Sequence, residues 1–270
     1  MKRTFLGKER PMTVGMIQKA TAEECVSLAL DSIGGGADAV GLQLESLPDA
    51  EKTDEKLRRI LDSLGGKPCY FTNYRYGRND GKTDETLARE LVRFTQLGGT
   101  LADIPGDFFD KSAVVSGKRE NCRYPECTTD ENAIAEQKKR IAEIHGAGGE
   151  VLMSSHVMRF LPAEEVLSIA LDFESRGADV VKIVTAANST EEEIENLRTT
   201  ALLKKELKVP FLFLSGGTHY RRHRLLGPMF GCGYYLCVAR HYPGSTASQP
   251  LLSEVLGVLS HTKYIDFCGM

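Results

Sequence analysis

The chain has 270 residues, 34 of them basic and 37 acidic, for a net charge of -3, and 41% of its residues are hydrophobic. This near balance excludes the electrostatic footprint of a nucleic-acid or acidic-membrane partner, and no run comes near the roughly 20 apolar residues of a membrane span. Small molecules are the expected partners. The opening stretch MKRTFLGKERPMTVGMIQKA has no continuous apolar secretory core, and the seven cysteines, odd in number and scattered, suit reduced thiols. Both point to a cytoplasmic protein.

In chain order, apolar runs of strand length fall near 12–17, 38–44, 68–73, 100–104, 150–154, 179–184, 210–215 and 233–238. Between them lie segments of helical periodicity with charged outer faces, such as those starting at Thr21, Asp84 and Asp130. GGADAV, GGTLADI and RGADVV each place a glycine where a helix ends and a strand begins. Strands alternating with helices imply parallel pairing with right-handed crossovers, and eight such units in about 250 residues are what a closed barrel requires. An open doubly wound sheet more often carries a glycine-rich turn after its first strand, and QKATAEE has none. The expectation is an α/β protein with a (β/α)8 TIM barrel, one domain over residues 1–270, and an insertion near 107–130 that exceeds the usual connection length.

In such barrels the chemistry gathers at the carboxyl ends of the strands. Polar residues fall there in this chain: Asn73 and Arg75 after strand three, Ser154, Ser155 and His156 on strand five, and Ser215, Gly216 and Gly217 on strand seven. Arg221, Arg222 and Arg224 follow strand seven, while Ser245, Ser248 and Gln249 follow strand eight. Cys122 and Cys127 in CRYPEC have neither C-x2-C spacing nor a histidine nearby, and no H-x-H or H-E-x-x-H pattern occurs, so no metal site is expected. His145 and His261 are expected at the surface; His219, His223 and His241 could flank the pocket.

Lys182 stands out in GADVVKIVT, a short β-branched run of the buried-strand type. Period-two alternation puts Val180, Lys182 and Val184 on one face. Either the aliphatic stem packs while the amine escapes to the strand end or pairs with a carboxylate, or the amine is a reagent. In the second case, burial and a nearby cation such as Arg224 or a charged His156 favour the free amine, which condenses with a ketone to an iminium ion. His156, at the end of the preceding strand, is then expected as a lateral neighbour able to move protons.

These stretches resemble the type I 3-dehydroquinate dehydratases over about residues 12–262. VLMSSHVMRFLP is similar to that family's catalytic-histidine segment and ADVVKIVTAANST to its Schiff-base lysine segment. FTNYR is similar to its F-T-x-R, HRLLGPMFG to its S-R-x-x-G, and STASQ to its closing loop. The resemblance implies Lys182 as imine former and His156 as acid and base. It implies Arg224, Ser245 and Gln249 as carboxylate and hydroxyl binders and Arg75 as a further polar contact. It implies a lyase of the shikimate pathway, in aromatic amino acid biosynthesis, that needs no cofactor and converts 3-dehydroquinate, or a related cyclic keto-carboxylate, to 3-dehydroshikimate.

The chain departs from that pattern where the family places E-x-R-x-D on strand two: Gly41 and Gln43 replace the first two charges, with Gln43 left as a candidate substrate contact, and Glu45 stands at the third. The glutamate that supports the family histidine has its nearest counterpart in Asn79 or Asp80, and one extra residue lies within FTNYR. Two other readings stay open: a lysine aldolase acting on a phosphosugar, with LSGGTHYRR as its phosphate cradle, and a catalytically silent barrel with a binding role. The tail HTKYIDFCGM is expected to pack under the barrel or to serve a homodimer.

Overall fold

A computed structural model describes residues 3–7, 9–111 and 127–262. Among the described residues, eight strands alternate with eight α-helices: β1 (Met12–Ile17), α1 (Ala22–Gly34), β2 (Ala39–Gln43), α2 (Asp54–Ser63), β3 (Cys69–Thr72), α3 (Asp84–Gln96), β4 (Leu101–Pro105), α4 (Glu131–Gly146), β5 (Glu150–His156), α5 (Ala163–Arg176), β6 (Val180–Ala187), α6 (Thr190–Glu206), β7 (Phe211–Gly217), α7 (Arg221–Leu226), β8 (Tyr234–Cys237) and α8 (Leu252–Thr262). All ladders are parallel, in the order β7-β6-β5-β4-β3-β2-β1-β8. The Gly233 N–H donates to the Phe211 carbonyl at 2.8 Å across the remaining seam, so the barrel is nearly closed. The expected (β/α)8 architecture is the observed one.

Local chemistry sets the element ends. Thr21, Thr53, Thr83, Asp130 and Ser189 each precede a helix and accept a hydrogen bond from the backbone N–H three residues on. Gly177 ends α5 with φ 103°, a left-handed conformation that only glycine adopts cheaply before the turn into β6.

Alternation along the strands separates two apolar layers. Val14, Leu101, Leu152, Val180, Leu212 and Leu236 fill the barrel interior, whereas Val40, Phe71, Val151, Val181, Ile183 and Phe213 face the helices. Phe5 plugs the lower end, its N–H donating to Glu150 and its carbonyl accepting from the Tyr234 hydroxyl.

Of the expected insertion, residues 112–126 lie outside the described residues, with Cys122 among them, and so does the tail from residue 263. The described flanks of the insertion meet in a bridge between Gly106 and Cys127. No described helix is long and apolar enough to cross a membrane.

Candidate active site

Lys182 points into the barrel, as its alternation with Val180 and Val184 requires, and is buried. Its surroundings correct the expectation of a lone amine near cations. The Lys182 amine donates to the hydroxyl of Tyr74 at 2.6 Å, to that of Tyr70 at 3.0 Å and to Asp103 Oδ2 at 3.2 Å. Asp103 is fully buried on β4. Its Oδ2 also accepts from both phenols, at 2.5 Å each, while Oδ1 accepts from Ser154 at 2.5 Å. The three protons of an ammonium thus meet three acceptors, and each phenol proton meets the carboxylate. A buried charge pair persists only when satisfied this completely. Burial first, and the Asp103 charge second, push both phenols well above their ordinary range, so they stay protonated as donors.

His156 ends β5, half-buried at the rim. The residue lateral to Lys182 is Ser154, and His156 stands opposite Val184, two residues further along the same face. That corrects the expected lateral pairing by one pleat repeat, about 7 Å. Tyr74 spans the offset: its ring meets the imidazole edge-on at 5.1 Å while its hydroxyl holds the Lys182 amine. Asn79 fixes this tyrosine's backbone, donating to the Tyr74 carbonyl and to Asn73 at 2.8 Å each.

Tyr74, in the FTNYR stretch that carries the extra residue, sits at the amine. Arg75 turns outward and is held by Asp84 at 2.6 and 2.8 Å and by Asp107 at 2.7 Å. Burial opposes the charge of Arg75, but these carboxylates hold its guanidinium above its ordinary value. The arginine expected as a substrate contact is committed to structural ion pairs.

A second cluster lies between β7 and β8. Arg224 and Gln249 line a cavity of 260 Å³ together with Tyr220, His241, Ser248 and Pro250. Arg224 donates through Nε to the Ser215 carbonyl at 2.7 Å and has no acidic partner among the described residues. Burial lowers it to about 10. The Gln249 side-chain oxygen is buried and unpaired. A buried cation without a carboxylate, facing an open cavity, is suited to bind an anion. Lys182 is not among the cavity's lining residues. Ser215 pairs with Thr185, three residues along β6 from Lys182, or about 10 Å of strand.

Two other expected contacts are placed differently. Ser245 bonds within its own turn, donating to the Tyr242 carbonyl at 2.8 Å and accepting from the Tyr242 N–H. Gln43 accepts from Gln18 at 2.8 Å, and Gln18 also donates to Thr246 at 2.9 Å, so Gln43 is tied to the β8 loop. Met16 Sδ would lie 2.1 Å from a Cβ built on Gly41, so the place of the family's glutamate is filled by a thioether. Glu45 is buried, accepts from Thr72 with both oxygens at 2.9 Å, and is pushed by burial to about 7. Of the flanking histidines, His223 lies buried against Thr200 at 3.1 Å, away from the cavity lining.

Tyr70, Tyr74 and Asp103 were not legible as site residues. Asp103 carried a usable signal: in TLADIP it interrupts an apolar strand as Lys182 does in VVKIV, on an inward-facing position.

Fold and site define a parallel barrel with a buried strand lysine and polar residues converging on its carboxyl-end rim. The chain belongs to the type I 3-dehydroquinase family, whose model matches residues 16–264. A 3-dehydroquinate dehydratase of Lactiplantibacillus plantarum is 29% identical over 264 residues, covering 94% of this chain and 95% of the relative. One from Alkaliphilus oremlandii is 28% identical over 196 residues, covering 65% and 75%. Among solved structures, the 3-dehydroquinate dehydratase of Geobacillus kaustophilus superposes with a TM-score of 0.77 at 17% identity, covering 97% of this chain and 96% of the other. The type I enzyme from Clostridium difficile with covalently modified comenic acid gives 0.75 at 18% identity, covering 94% and 93%. Identities this low carry the fold alone; the family rests on the sequence match.

Proposed function

We propose that this protein is a Schiff-base-forming hydro-lyase that removes water from 3-dehydroquinate, or from a related cyclic keto-carboxylate, to give 3-dehydroshikimate or its counterpart. The Lys182 amine attacks the ring ketone and expels water as the imine forms. His156 takes the proton from the adjacent carbon and returns it to the departing hydroxyl, and hydrolysis of the imine releases the product. Arg224 binds the carboxylate with Gln249 beside it, the guanidinium fork matching two oxygens. The 10 Å of strand between the two clusters is divided between the arginine arm and the substrate ring.

The observation that carries this reading is the inward-facing, buried Lys182 in a chain of this family. The loss of charge at Gly41 and Gln43 favours a substrate whose far end is recognised less by ions than by amides and phenols. The reaction requires no cofactor, and we place it in the cytoplasm, in a chain that works as a monomer or homodimer. Borohydride reduction in the presence of 3-dehydroquinate tests it: a reduced adduct on Lys182 is expected, and its absence with dehydroquinate and with product analogues overturns the reading.

A further inference from the structure

The Lys182 amine is saturated as it stands, and a saturated ammonium is no nucleophile. Its proton must leave before a carbon–nitrogen bond can form. Three oxygens could take it. Asp103 is the only one that is a carboxylate, but its Oδ2 is the most distant, at 3.2 Å, and is already crowded by two phenol protons. The Tyr74 hydroxyl is the nearest, at 2.6 Å, and its own proton points at that same Oδ2 over 2.5 Å.

We infer that Tyr74 is a catalytic residue of this barrel, relaying the proton of Lys182 to Asp103 so that the amine becomes free. The step balances within the cluster. The N–H bond of the ammonium breaks as an O–H bond forms on Tyr74, and the Tyr74 proton passes to Asp103. The products are a neutral amine, an intact phenol and a neutral carboxylic acid. No oxidant, metal or outside base is consumed, and the reverse relay recharges the lysine when the imine hydrolyses.

The energetics point the same way. A cation and an anion held out of water are costly to keep apart from solvent, whereas the neutral pair is not. A substrate that closes the rim to solvent therefore favours the relayed, neutral pair. Tyr70 makes the same two contacts but holds the amine at 3.0 Å, the weaker link. The groups that face Tyr74 are Tyr70 and Tyr76 from β3 and its loop, Asp103 from β4, His156 from β5, Lys182 from β6, and Glu45 beyond β2. The contact with the His156 ring places the relay beside the group assigned to carbon–proton transfer.

This inference rests on the imine reading, and the test separates the two. The rate of borohydride-trapped adduct formation with 3-dehydroquinate is followed against pH in the parent protein, in Tyr74→Phe, and in protein carrying 3,5-difluorotyrosine at position 74. Tyr74→Phe is expected to slow trapping about 100-fold near neutrality, within the span of lost proton-transfer catalysis, and to recover at high pH where solvent removes the proton. The difluorotyrosine protein is expected to shift the profile, because the relay's acidity changes while its shape does not. Parental rate and profile in Tyr74→Phe overturn the relay while leaving the imine intact. Should Tyr74→Phe fail to fold, an unshifted profile in the difluorotyrosine protein overturns it equally. No adduct in the parent overturns the imine reading and the relay with it.

Discussion

Lys182 and Asp103 form an ion pair 3.2 Å apart inside the barrel, on strands β6 and β4 with β5 between them. Neither charge is in contact with bulk water to any useful degree, so each depends on the other. Lys182→Met leaves a carboxylate buried without its cation, which typically costs about 3–5 kcal/mol. Adding Asp103→Asn removes that stranded charge while keeping an acceptor for the two phenols, and the double variant is expected to regain at least half of the loss. Urea unfolding of the four proteins in the cycle reads this coupling. Additive losses would show that the pair contributes nothing to stability. On the imine reading, turnover is expected to be lost wherever Lys182 is absent.

Two buried groups give the protein opposing pH responses. Burial raises Glu45 from 4.5 to about 7, so between those values the folded chain holds a proton that the unfolded chain has released. Stability from this group falls as pH rises through that window, by about 3 kcal/mol. His223 is lowered from 6.5 to about 4, by burial first and the Arg224 charge second, so here the unfolded chain holds the extra proton and stability climbs from about pH 4 to 6.5. Glu45→Gln removes one slope and leaves the other. From pH 4.5 to 7 the parent is expected to lose ground steadily against this variant in denaturant titrations. A constant difference between them would refute the assignment.

The barrel was legible because its signals are local and repeated: eight apolar runs, helical segments with charged outer faces between them, and glycines at helix ends. That Lys182 shares a face with Val180 and Val184 followed from alternation; that this face is the inward one came with the barrel. The partners of Lys182 did not follow, because Asp103 is 79 residues away and Tyr74 is 108 away, and nothing local couples strands that meet only when the barrel closes. The inserted residue in FTNYR hid Tyr74 further, since matching the arginine of the family pattern drew attention to Arg75. His156 was placed on the right face but one repeat too low, because alternation fixes which face a residue takes, while a shift of two residues against the neighbouring strand keeps that face and changes only the level.

Arg75 and Arg224 are expected to fail in opposite ways. Arg75→Met strands Asp84 and Asp107, both buried, and with the arginine about a quarter exposed the stability loss is about 2–3 kcal/mol. Its KM for a keto-carboxylate should stay near that of the parent. Arg224→Met strands no carboxylate, so stability holds or rises, while KM increases about 10- to 100-fold with the loss of charged hydrogen bonds to the substrate. Because burial holds Arg224 to about 10, KM in the parent is also expected to climb above that pH. Steady-state kinetics beside thermal melts of both variants separate the roles; a raised KM in Arg75→Met would return that residue to the binding site.

Met16 and Gly41 face each other on neighbouring strands β1 and β2, paired in register, and the thioether occupies the volume a side chain at 41 would need. Tyr70 closes the same space at 3.2 Å from a built Cβ. Gly41→Ala is therefore expected to cost about 1–3 kcal/mol by overpacking, with the flexible Met16 tip absorbing part of the strain. Met16→Ala alone opens a cavity and costs about 2–5 kcal/mol. Together the two changes should compensate, the double variant lying well above the sum of the singles. A measured sum would mean that the methionine moves aside freely and does not fill the pocket wall. The consequence for function is direct: a glutamate at 41 can be accommodated only once Met16 is shortened, so Gly41→Glu in the parent background should misfold or lose stability, while Met16→Ala/Gly41→Glu folds and shifts preference toward the more hydroxylated of two keto-carboxylate substrates in competition assays.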